Sequence, residues 1–492
     1  MFRKITTALV GLTCTTALAQ ELPQVSNEWF ASGQAALQAA LAKQVNTNTA
    51  RNVIILISDG NGVGTNYASR LWAGQQAGGY GDDHVQAHEA FPNLALVKTY
   101  NTNAQTPDSA GTGTAMMSGI KTKAGIVGMN ANVNRGDCAT IEGNTVATMN
   151  EIMAAAGKAT GVVSTARITH ATPASAYSHS VDRNFEARVP KGCTQQADIA
   201  TQLIEAMKAG TIAVAMGGGR RNFLGKDLTD DEGKSGRRAE GENLITTAQA
   251  NGITYAWDQS TFEALPMDGS PVLGLFEASH MKYEADRSDE PSLAEMTAAA
   301  IKMLQGNDAG FFLQVEAGRV DHANHGGNLA RVVRDQKAFA DAVAMADALT
   351  DDADTLIVVT ADHEHAIAFN GYCGRGSDIL GLCMGINGAG VEHTGKPVTA
   401  SDDKPYTVAG YLNGAGSVLR EDMNWAGVRP PLTQEEATDL DYVQQALIPR
   451  SSETHSGEDV AVYAKGPWAH LFDGTIEQNV IFHIMLHAAT AN

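Results

Sequence analysis

The feature that most constrains the fold is a set of short, continuously apolar runs separated by stretches with helical periodicity. The runs do not alternate apolar and polar residues, so both faces of each strand are expected to be covered. Pro291 lies where one of the helices would begin. Strands are predicted at Val53–Ile57, Gly161–Ser164, Ile212–Met216, Phe311–Val315 and Leu356–Thr360, and helices at Thr145–Ala156, Gln196–Ala209, Ser292–Leu304 and Leu329–Leu349.

The alternation of strands and helices predicts an α/β fold, a three-layer sandwich around a central, mostly parallel sheet. Residues 371–452 break this alternation. They carry many Gly, Pro, Asn and charged residues, which indicates an inserted subdomain or a long surface excursion. The stretch Val480–Ala489 is predicted to be a terminal helix that docks on the core.

The first 19 residues have the pattern of a secretory signal peptide. Arg3 and Lys4 precede a short apolar stretch, and Ala17-Leu18-Ala19 has the small residues of a cleavage site. The apolar stretch is too short to span a bilayer, so no membrane anchor is expected. A lipoprotein signal ending at Cys14 is the less favoured alternative. We therefore expect an exported chain of residues 20–492, periplasmic or secreted.

The net charge of −20 argues against nucleic acid as a partner. An acidic protein that handles an anionic group needs a local positive field, and bound cations supply one.

Export would leave four cysteines, for which three pairings exist. Disulfides are the expected state outside the cytoplasm. The shorter spacing favours a bridge between Cys373 and Cys383, with Cys138 and Cys193 as the other. A cysteine metal site is the alternative, but no C-x-x-C motif supports it.

Three of the predicted strands are followed by Asp, Glu and His, residue types that commonly bind metal ions. Ligands bind outside the carboxyl ends of strands in open α/β sheets, so these residues are expected to form one cluster. Any of them alone has an ordinary explanation, such as a helix cap at Asp59 or a structural histidine at His170. The groups are Asp59 after the first strand, Glu316, Asp321, His322 and His325 after the fourth, and Asp362, His363, Glu364 and His365 after the fifth.

The spacing of Asp321 and His325 places both side chains on one face of a helical turn. A mixed set of carboxylate and imidazole ligands suits zinc, whereas an all-oxygen set suits magnesium. Asp321, His325 and one more histidine would form a zinc site with an open position. The third ligand is expected in the polar stretch Glu453–Glu458.

A run of small residues, Asp108–Ala115, follows Pro107 and is predicted to enter a helix with Ser109 at its start. A helix N-terminus favours anions. Ser109 as a plain N-cap residue is the alternative. No G-x-S-x-G motif and no local Ser-His-Asp arrangement is present. A bound metal ion would activate the hydroxyl group directly.

Taken together, these motifs resemble the alkaline phosphatase family, and its animal-type branch more than the enterobacterial type. The resemblance extends over nearly the whole mature chain, and the order and spacing of the motifs agree as well as their content. It rests on Ser58–Gly64, Pro107–Gly119, Thr165–Asn184, Phe311–Gly326, Thr360–His365, Gly371–Gly376 and Glu453–Lys465.

The resemblance implies a hydrolase of phosphate monoesters with two zinc ions and one magnesium ion. The first zinc would be held by Asp321, His325 and His455, and the second by Asp59, Asp362 and His363. Asp59 would also bind magnesium together with Thr172 and Glu316. Arg183 would clamp the phosphate oxygens, and His170 and His322 would support the site from behind.

The mechanism implied by the resemblance is in-line attack by Ser109 on phosphorus, a phosphoserine, and its hydrolysis by water. The two zinc ions would stabilise the entering and leaving oxygens in turn. The resemblance also implies a homodimer, with residues 371–452 as a crown over the site. It matches a bridge between Cys138 and Cys193, whereas the familiar animal-type members lack one between Cys373 and Cys383.

Animal-type members also bind calcium, which makes a calcium site at Phe276, Glu277 and Glu290 a further expectation, although Glu290 stands in place of an Asp. A sulfatase or a phosphodiesterase of the same superfamily is the alternative function. Sulfatases need a C/S-x-P-x-R motif, but Ala110-Gly111-Thr112 follows Ser109. The diesterases typically use Thr and lack the arginine clamp and the third metal site. A phosphate-binding protein without catalysis would leave the predicted ligands unexplained.

Overall fold

The computed structural model describes residues 22–390, 394–417 and 428–491. The chain divides into two compact units, Met1–Val45 and Asn46–Asn492. The described part of the first unit contains one helix, α1 (Glu28–Ala42), capped by the side chain of Asn27. The predicted signal peptide lies outside the described residues, and its cleavage stays a prediction.

Fifteen strands are present in the described residues, and their bounds follow the chain. They are β1 (Asn52–Ser58), β2 (Asn93–Lys98), β3 (Ala159–Arg167), β4 (Val214–Gly218), β5 (Thr254–Ala256), β6 (Val272–Leu275), β7 (Phe311–Ala317), β8 (Thr355–Ala361), β9 (Glu364–His365), β10 (Ile367–Phe369), β11 (Ala409–Gly414), β12 (Ala446–Pro449), β13 (His455–Ser456), β14 (Val460–Lys465) and β15 (Thr475–Glu477).

The remaining helices lie mostly between these strands. They are α2 (Val63–Gln76), α3 (Ser109–Ser118), α4 (Met149–Ala155), α5 (Ala171–Ala174), α6 (Ile199–Lys208), α7 (Leu244–Ala250), α8 (Gln259–Glu263), α9 (Leu293–Leu304), α10 (Arg319–His325), α11 (Leu329–Ala348), α12 (Gln434–Thr438) and α13 (Val480–Thr490).

A ten-stranded sheet in the order β15-β2-β14-β8-β1-β7-β3-β4-β6-β5 forms the centre of the second unit. Only β14 runs antiparallel to its two neighbours among the described strands. All five predicted strands belong to this sheet, and the mostly parallel α/β fold is confirmed. The predicted helices are also present, although the first begins later than expected, at Met149.

Residues of β1 alternate between two hydrophobic cores, one on each face of the sheet. Val53, Ile55 and Ile57 belong to a core with α3, α6 and α13. Ile54 and Leu56 belong to a core with α2, α9 and α11. Both faces of the central strand are therefore covered by helices, as its continuous apolar sequence predicts.

Residues 371–452 lie mostly outside the central sheet. Within their described part, β11 pairs with β12 in parallel and with β10 in antiparallel orientation. This small sheet begins at Ile367, slightly before the predicted boundary. The assignment of the segment as a crown over the site stays a prediction.

Two disulfides are present in the described part of the chain, and they join the cysteines that the sequence pairs. Cys138 and Cys193 have Cα atoms 5.5 Å apart, and Cys373 and Cys383 have Cα atoms 4.9 Å apart. No helix in the described part of the chain is both long and apolar enough to cross a membrane.

Candidate functional site

The carboxyl ends of β1, β7 and β8 bring the predicted ligands together. The register pairs Ser58 with Ala317 on one side and with Ala361 on the other. Asp59 and Asp362, the next residues of their strands, therefore leave the sheet side by side. Both are completely buried.

A first group of ligand atoms converges on Asp321. The Nε2 atoms of His325 and His455 lie 3.3 Å and 3.2 Å from Oδ1 of Asp321, and 3.1 Å from each other. The ligands of a tetrahedral ion bound at 2.0–2.1 Å lie about 3.3 Å apart. The three atoms thus have the spacing that a zinc ion requires.

Local structure sets this geometry. Asp321 and His325 occupy one face of the short helix α10, where residues four apart are neighbours. His455 comes from the distant strand β13, which pairs with β9 so that His455 lies opposite His365. The imidazole of His455 is further fixed by a 2.9 Å contact between its Nδ1 and the carbonyl oxygen of Pro107.

A second group is formed by Asp59, Asp362 and His363. Nε2 of His363 lies 3.3 Å from Oδ1 of Asp59 and 3.2 Å from Oδ2 of Asp362. All three side chains are completely buried. These residues could hold a second ion with a mixed nitrogen and oxygen ligand set.

Ser109 lies at this second group. It is the first residue of α3, and the side chain of Asp108 caps the helix by accepting from the amide of Gly111. The hydroxyl oxygen of Ser109 lies 3.2 Å from Nε2 of His363 and 3.5 Å from Oδ1 of Asp59. A buried hydroxyl group is therefore placed among metal ligands at the N-terminus of a helix, where an anion is stabilised.

The oxygens predicted for the third ion are buried and unpaired. Oδ2 of Asp59, Oγ1 of Thr172 and Oε1 of Glu316 have no hydrogen-bond partner. Buried polar atoms are nearly always paired, so three orphaned oxygens fit an oxygen-preferring cation such as magnesium. His170 forms an alternative ligand group with the two carboxylates.

The electrostatics of the cluster also favour cations. Burial, followed by repulsion from Asp362, raises the pKa of Asp59 well above its ordinary value. Burial raises the pKa of Glu316 to about 7, against a hydrogen bond from Ser164. Burial also raises the pKa of Asp362. These shifts reflect carboxylates that repel one another in a low-dielectric site, and bound cations would remove the repulsion.

Arg183 is held beside this cluster by two contacts. Its Nη1 donates to Oδ2 of Asp108 at 2.9 Å, and its Nη2 lies 3.0 Å from Nε2 of His170. Burial opposes the charge of Arg183, but Asp108 raises its pKa. A guanidinium group anchored in this way presents a fixed positive charge next to Ser109.

His170 and His322 lie behind the site with their rings 5.5 Å apart. Burial, with Arg183 and Arg167 nearby, holds the pKa of His170 well below its ordinary value. Burial lowers the pKa of His322 to about 3. Both rings are therefore neutral in the protein. Every residue predicted for the site lies in or next to one of these groups, while its role there stays a prediction.

Two residues that the sequence places near the metal centre without a specific role, His365 and Glu453, form a contact there. Nδ1 of His365 lies 2.5 Å from Oε2 of Glu453, and its Nε2 lies 2.9 Å from Oδ1 of Asp321. Burial opposes protonation, but Glu453 and Asp321 raise the pKa of His365 to about 10. A charged imidazole thus connects a buried glutamate to a predicted ligand. Both residues stand in the motifs that carry the other ligands.

The residues predicted for calcium form a different arrangement. Nζ of Lys282 lies 3.4 Å from Oε1 of Glu277, and its amide donates to Oε1 of Glu290 at 2.8 Å. Among the described residues, the groups that could hold a metal ion do not include this one. Oε2 of Glu290 is nevertheless buried and unpaired. Calcium here stays a prediction.

Comparisons with known proteins agree with this geometry. The sequence profile of the family described as alkaline phosphatase matches residues 50–491. The tissue-nonspecific isozyme of alkaline phosphatase from Rattus norvegicus is 39% identical over 500 residues, which cover 98% of this chain and 91% of that protein. An alkaline phosphatase from Gadus morhua is 40% identical over 488 residues, which cover 95% and 97% of the two chains.

Solved structures share the fold. Thermus thermophilus alkaline phosphatase superposes with a TM-score of 0.64 at 23% identity, covering 92% of this chain and 93% of that one. Alkaline phosphatase from the Antarctic bacterium TAB5 superposes with a TM-score of 0.59 at 22% identity, covering 91% and 100%.

Proposed function

This chain belongs to the alkaline phosphatase family, and from that premise we propose that it hydrolyses phosphate monoesters through a covalent phosphoserine at Ser109. The observation that carries the proposal is the position of the Ser109 hydroxyl group. It is buried, lies 3.2 Å from Nε2 of His363, and stands at the start of α3. The alternative of Ser109 as a plain N-cap residue is wrong, because the N-cap of α3 is Asp108.

We propose that three cations complete the site. Zinc would be held by Asp321, His325 and His455 and by Asp59, Asp362 and His363, and magnesium by Asp59, Thr172 and Glu316. When bound, these ions supply Lewis-acid activation of the nucleophile and of the leaving oxygen, and they neutralise the carboxylates. The support is the 3.1–3.3 Å spacing of the nitrogen and oxygen atoms and the three orphaned oxygens.

The residues of the chain orient the reacting groups. The hydroxyl oxygen of Ser109 would attack phosphorus in line, and the ester oxygen would leave on the opposite side. Arg183 would bind two non-bridging oxygens through its planar fork and stabilise the charge on them. Ser109 is the first residue of α3, and the N-terminus of a helix would stabilise the same negative charge. Water would then hydrolyse the phosphoserine, which returns free Ser109 and inorganic phosphate.

Export is a second part of the proposal. The two disulfides suit an oxidising compartment, and the first 19 residues have the composition of a secretory signal. We therefore propose a periplasmic or secreted enzyme of residues 20–492. The homodimer and the crown role of residues 371–452 stay predictions of the family resemblance.

The test is an acid-quenched reaction of the metal-loaded enzyme with a ³²P-labelled phosphate monoester. Wild-type protein should retain label on Ser109, and Ser109→Ala should retain none and lose turnover by orders of magnitude. Zinc content should be equal in the two proteins, which separates loss of the nucleophile from loss of the site. A labelled Ser109→Ala protein with normal turnover would refute the assignment of the nucleophile.

A further inference from the structure

A second basic pocket lies outside the catalytic cluster. It has a volume of ≈ 350 Å³, within the range of pockets that hold small ligands. Its lining includes the exposed cations Arg188, Lys226 and Arg237, with the buried Asn222 at its base. The net charge of the whole chain is −20, so the positive charge of this lining is opposite in sign to the overall charge.

Two Arg-Arg pairs of the sequence, Arg220-Arg221 and Arg237-Arg238, contact each other through their backbones, and Arg237 lines the pocket. Arg220 forms an ion pair with Asp230, and Arg238 forms one with Asp198. These bonds satisfy one arginine of each pair inside the protein. The backbone amide of Arg237 donates to the carbonyl oxygen of Arg221 at 2.8 Å, so the backbones of the other two arginines are neighbours in space.

The remaining two arginines have no carboxylate partner within the described residues. Nε of Arg221 is buried and makes no hydrogen bond. Burial, then the charges of Arg237 and Arg167, lowers the pKa of Arg221. Two neighbouring guanidinium groups that repel each other, one with a buried unpaired donor, are a favourable place for an anion.

Glu186 is the one carboxylate among the described residues that line the pocket, and it is already paired. Glu186 accepts from Nε and Nη2 of Arg167, both at 2.7 Å. Its Oε2 also accepts from Thr169 at 2.6 Å and from Asn222 at 2.9 Å. Glu186 therefore forms its ion pair with Arg167, and its charge offsets only part of the repulsion at Arg221. Lys226 has its own surface partner, Glu240.

We propose that this pocket is a second anion site, which binds a phosphoryl group through Arg188 and Arg237, two residues of its lining, with the charge of the neighbouring Arg221 in support. The ligand is free phosphate or the phosphoryl end of a small ester, since both present the oxygens that a guanidinium fork recognises. The site does not use Ser109 or the metal ligands, and it does not depend on the proposed catalytic function.

The experiment is equilibrium dialysis of the metal-loaded protein with labelled inorganic phosphate at pH 8. Wild-type protein should bind two phosphate ions per chain. Arg221→Gln combined with Arg237→Gln should weaken the second ion at least about tenfold, because the charge-assisted hydrogen bonds of Arg237 and the charge of Arg221 are lost. Arg183→Ala should weaken the first ion and leave the second unchanged.

A matched control removes the same charge elsewhere. Lys234→Gln combined with Lys302→Gln changes two exposed cations and should leave both phosphate ions in place. Phenylphosphonate, a phosphoryl group that carries an organic substituent, distinguishes the two sources of the ligand. If the second site binds it with the same affinity as phosphate, the ligand is the free anion. If the second site binds it more tightly than phosphate, the ligand is an ester. Saturation of the wild-type protein at one ion that Arg183→Ala weakens, or a second ion that survives the double arginine substitution, would overturn the proposal.

Discussion

Asp108 joins the nucleophile to the phosphate clamp: its Oδ2 accepts from Nη1 of Arg183 at 2.9 Å, while its Oδ1 accepts from the amide of Gly111 in the helix that begins at Ser109. A single carboxylate therefore positions both groups that would contact phosphate. Burial opposes its charge, but Arg183 and two backbone amides lower the pKa of Asp108. The carboxylate is thus ionised at any pH at which the enzyme would work.

Substitution of Asp108 should separate these two roles. Asp108→Asn keeps an oxygen for the helix cap but loses the ion pair, whereas Asp108→Ala loses both. In each variant we expect KM for p-nitrophenyl phosphate and the inhibition constant for phosphate to rise together, several-fold, because Arg183 is no longer fixed. Only Asp108→Ala should also lose about 1 kcal/mol of stability, as expected for a missing N-cap. Unchanged phosphate inhibition in both would show that Arg183 needs no anchor.

Removal of metal should abolish p-nitrophenyl phosphate hydrolysis, and zinc with magnesium should restore it. The stability of the metal-free protein should also depend on pH. The folded-state pKa of Glu316, about 7, is above its ordinary 4.5, so the folded state binds this proton more tightly than the unfolded state. The metal-free protein should therefore lose stability as pH rises from about 4.5 to about 7.

Thermal unfolding with and without chelator at pH 6 and pH 9 tests this. The chelator should lower the unfolding temperature more at pH 9. An equal drop in unfolding temperature at both pH values would mean that the carboxylates of the site do not repel one another in the folded protein. Activity that survives full metal removal would contradict the metal assignment itself.

The sequence predicts the centre of the sheet better than its edges. The strands β1, β3, β4, β7 and β8 each contain a run of mostly apolar, buried residues, and that pattern is visible without any partner. The strands β2 and β14 alternate buried and more exposed residues, and β5 and β15 are only three residues long. Their positions depend on neighbours distant in the chain, for which a local pattern gives no signal.

The same limit applies to the site. Asp59, Asp362 and His363 could be predicted because each follows an apolar strand. The contact between His365 and Glu453 could not, because it joins residues 88 apart in the chain. It depends on the pairing of β9 with β13, two strands of two residues each. The contact of Asp108 with Arg183 could not be predicted either, because an Asp at this position is already explained by its role as the N-cap of α3.

Glu453→Gln should weaken metal binding although it replaces none of the residues predicted as metal ligands. The substitution removes the negative charge that holds His365, and His365 in turn orients Asp321 at 2.9 Å. Loss of such an outer partner typically costs about 10–100-fold in metal affinity. Zinc competition with a chelator measures it. Glu458→Gln, an exposed neighbour, is the matched control and should bind zinc normally. An unchanged zinc affinity in Glu453→Gln would refute the orienting role.

His179 and Glu151 should stabilise the protein only below alkaline pH. Nδ1 of His179 lies 2.8 Å from the carbonyl oxygen of Gly128, and its Nε2 lies 3.1 Å from Oε1 of Glu151. Both partners are acceptors, and only the protonated imidazole donates from both nitrogens. Burial opposes protonation, but these partners raise the pKa of His179 above 6.5. Its contribution is therefore complete below about pH 6.5 and is lost as pH rises through the folded-state pKa.

Glu151 sets the lower limit of the pH range in which the pair stabilises the protein. Burial opposes its charge, but His179 and the amide of Thr148 lower the pKa of Glu151 below 4.5, so its contribution is present above that pH. A double-mutant cycle with His179→Gln and Glu151→Gln should give a coupling energy of about 0.2–1 kcal/mol at pH 5.5, the range for partly exposed pairs. At pH 9 it should approach zero, as measured by urea unfolding. A coupling that persists undiminished at pH 9 would show that the neutral imidazole still donates to Glu151. The hydrogen bond from His179 to the carbonyl oxygen of Gly128 would then be the one that is lost.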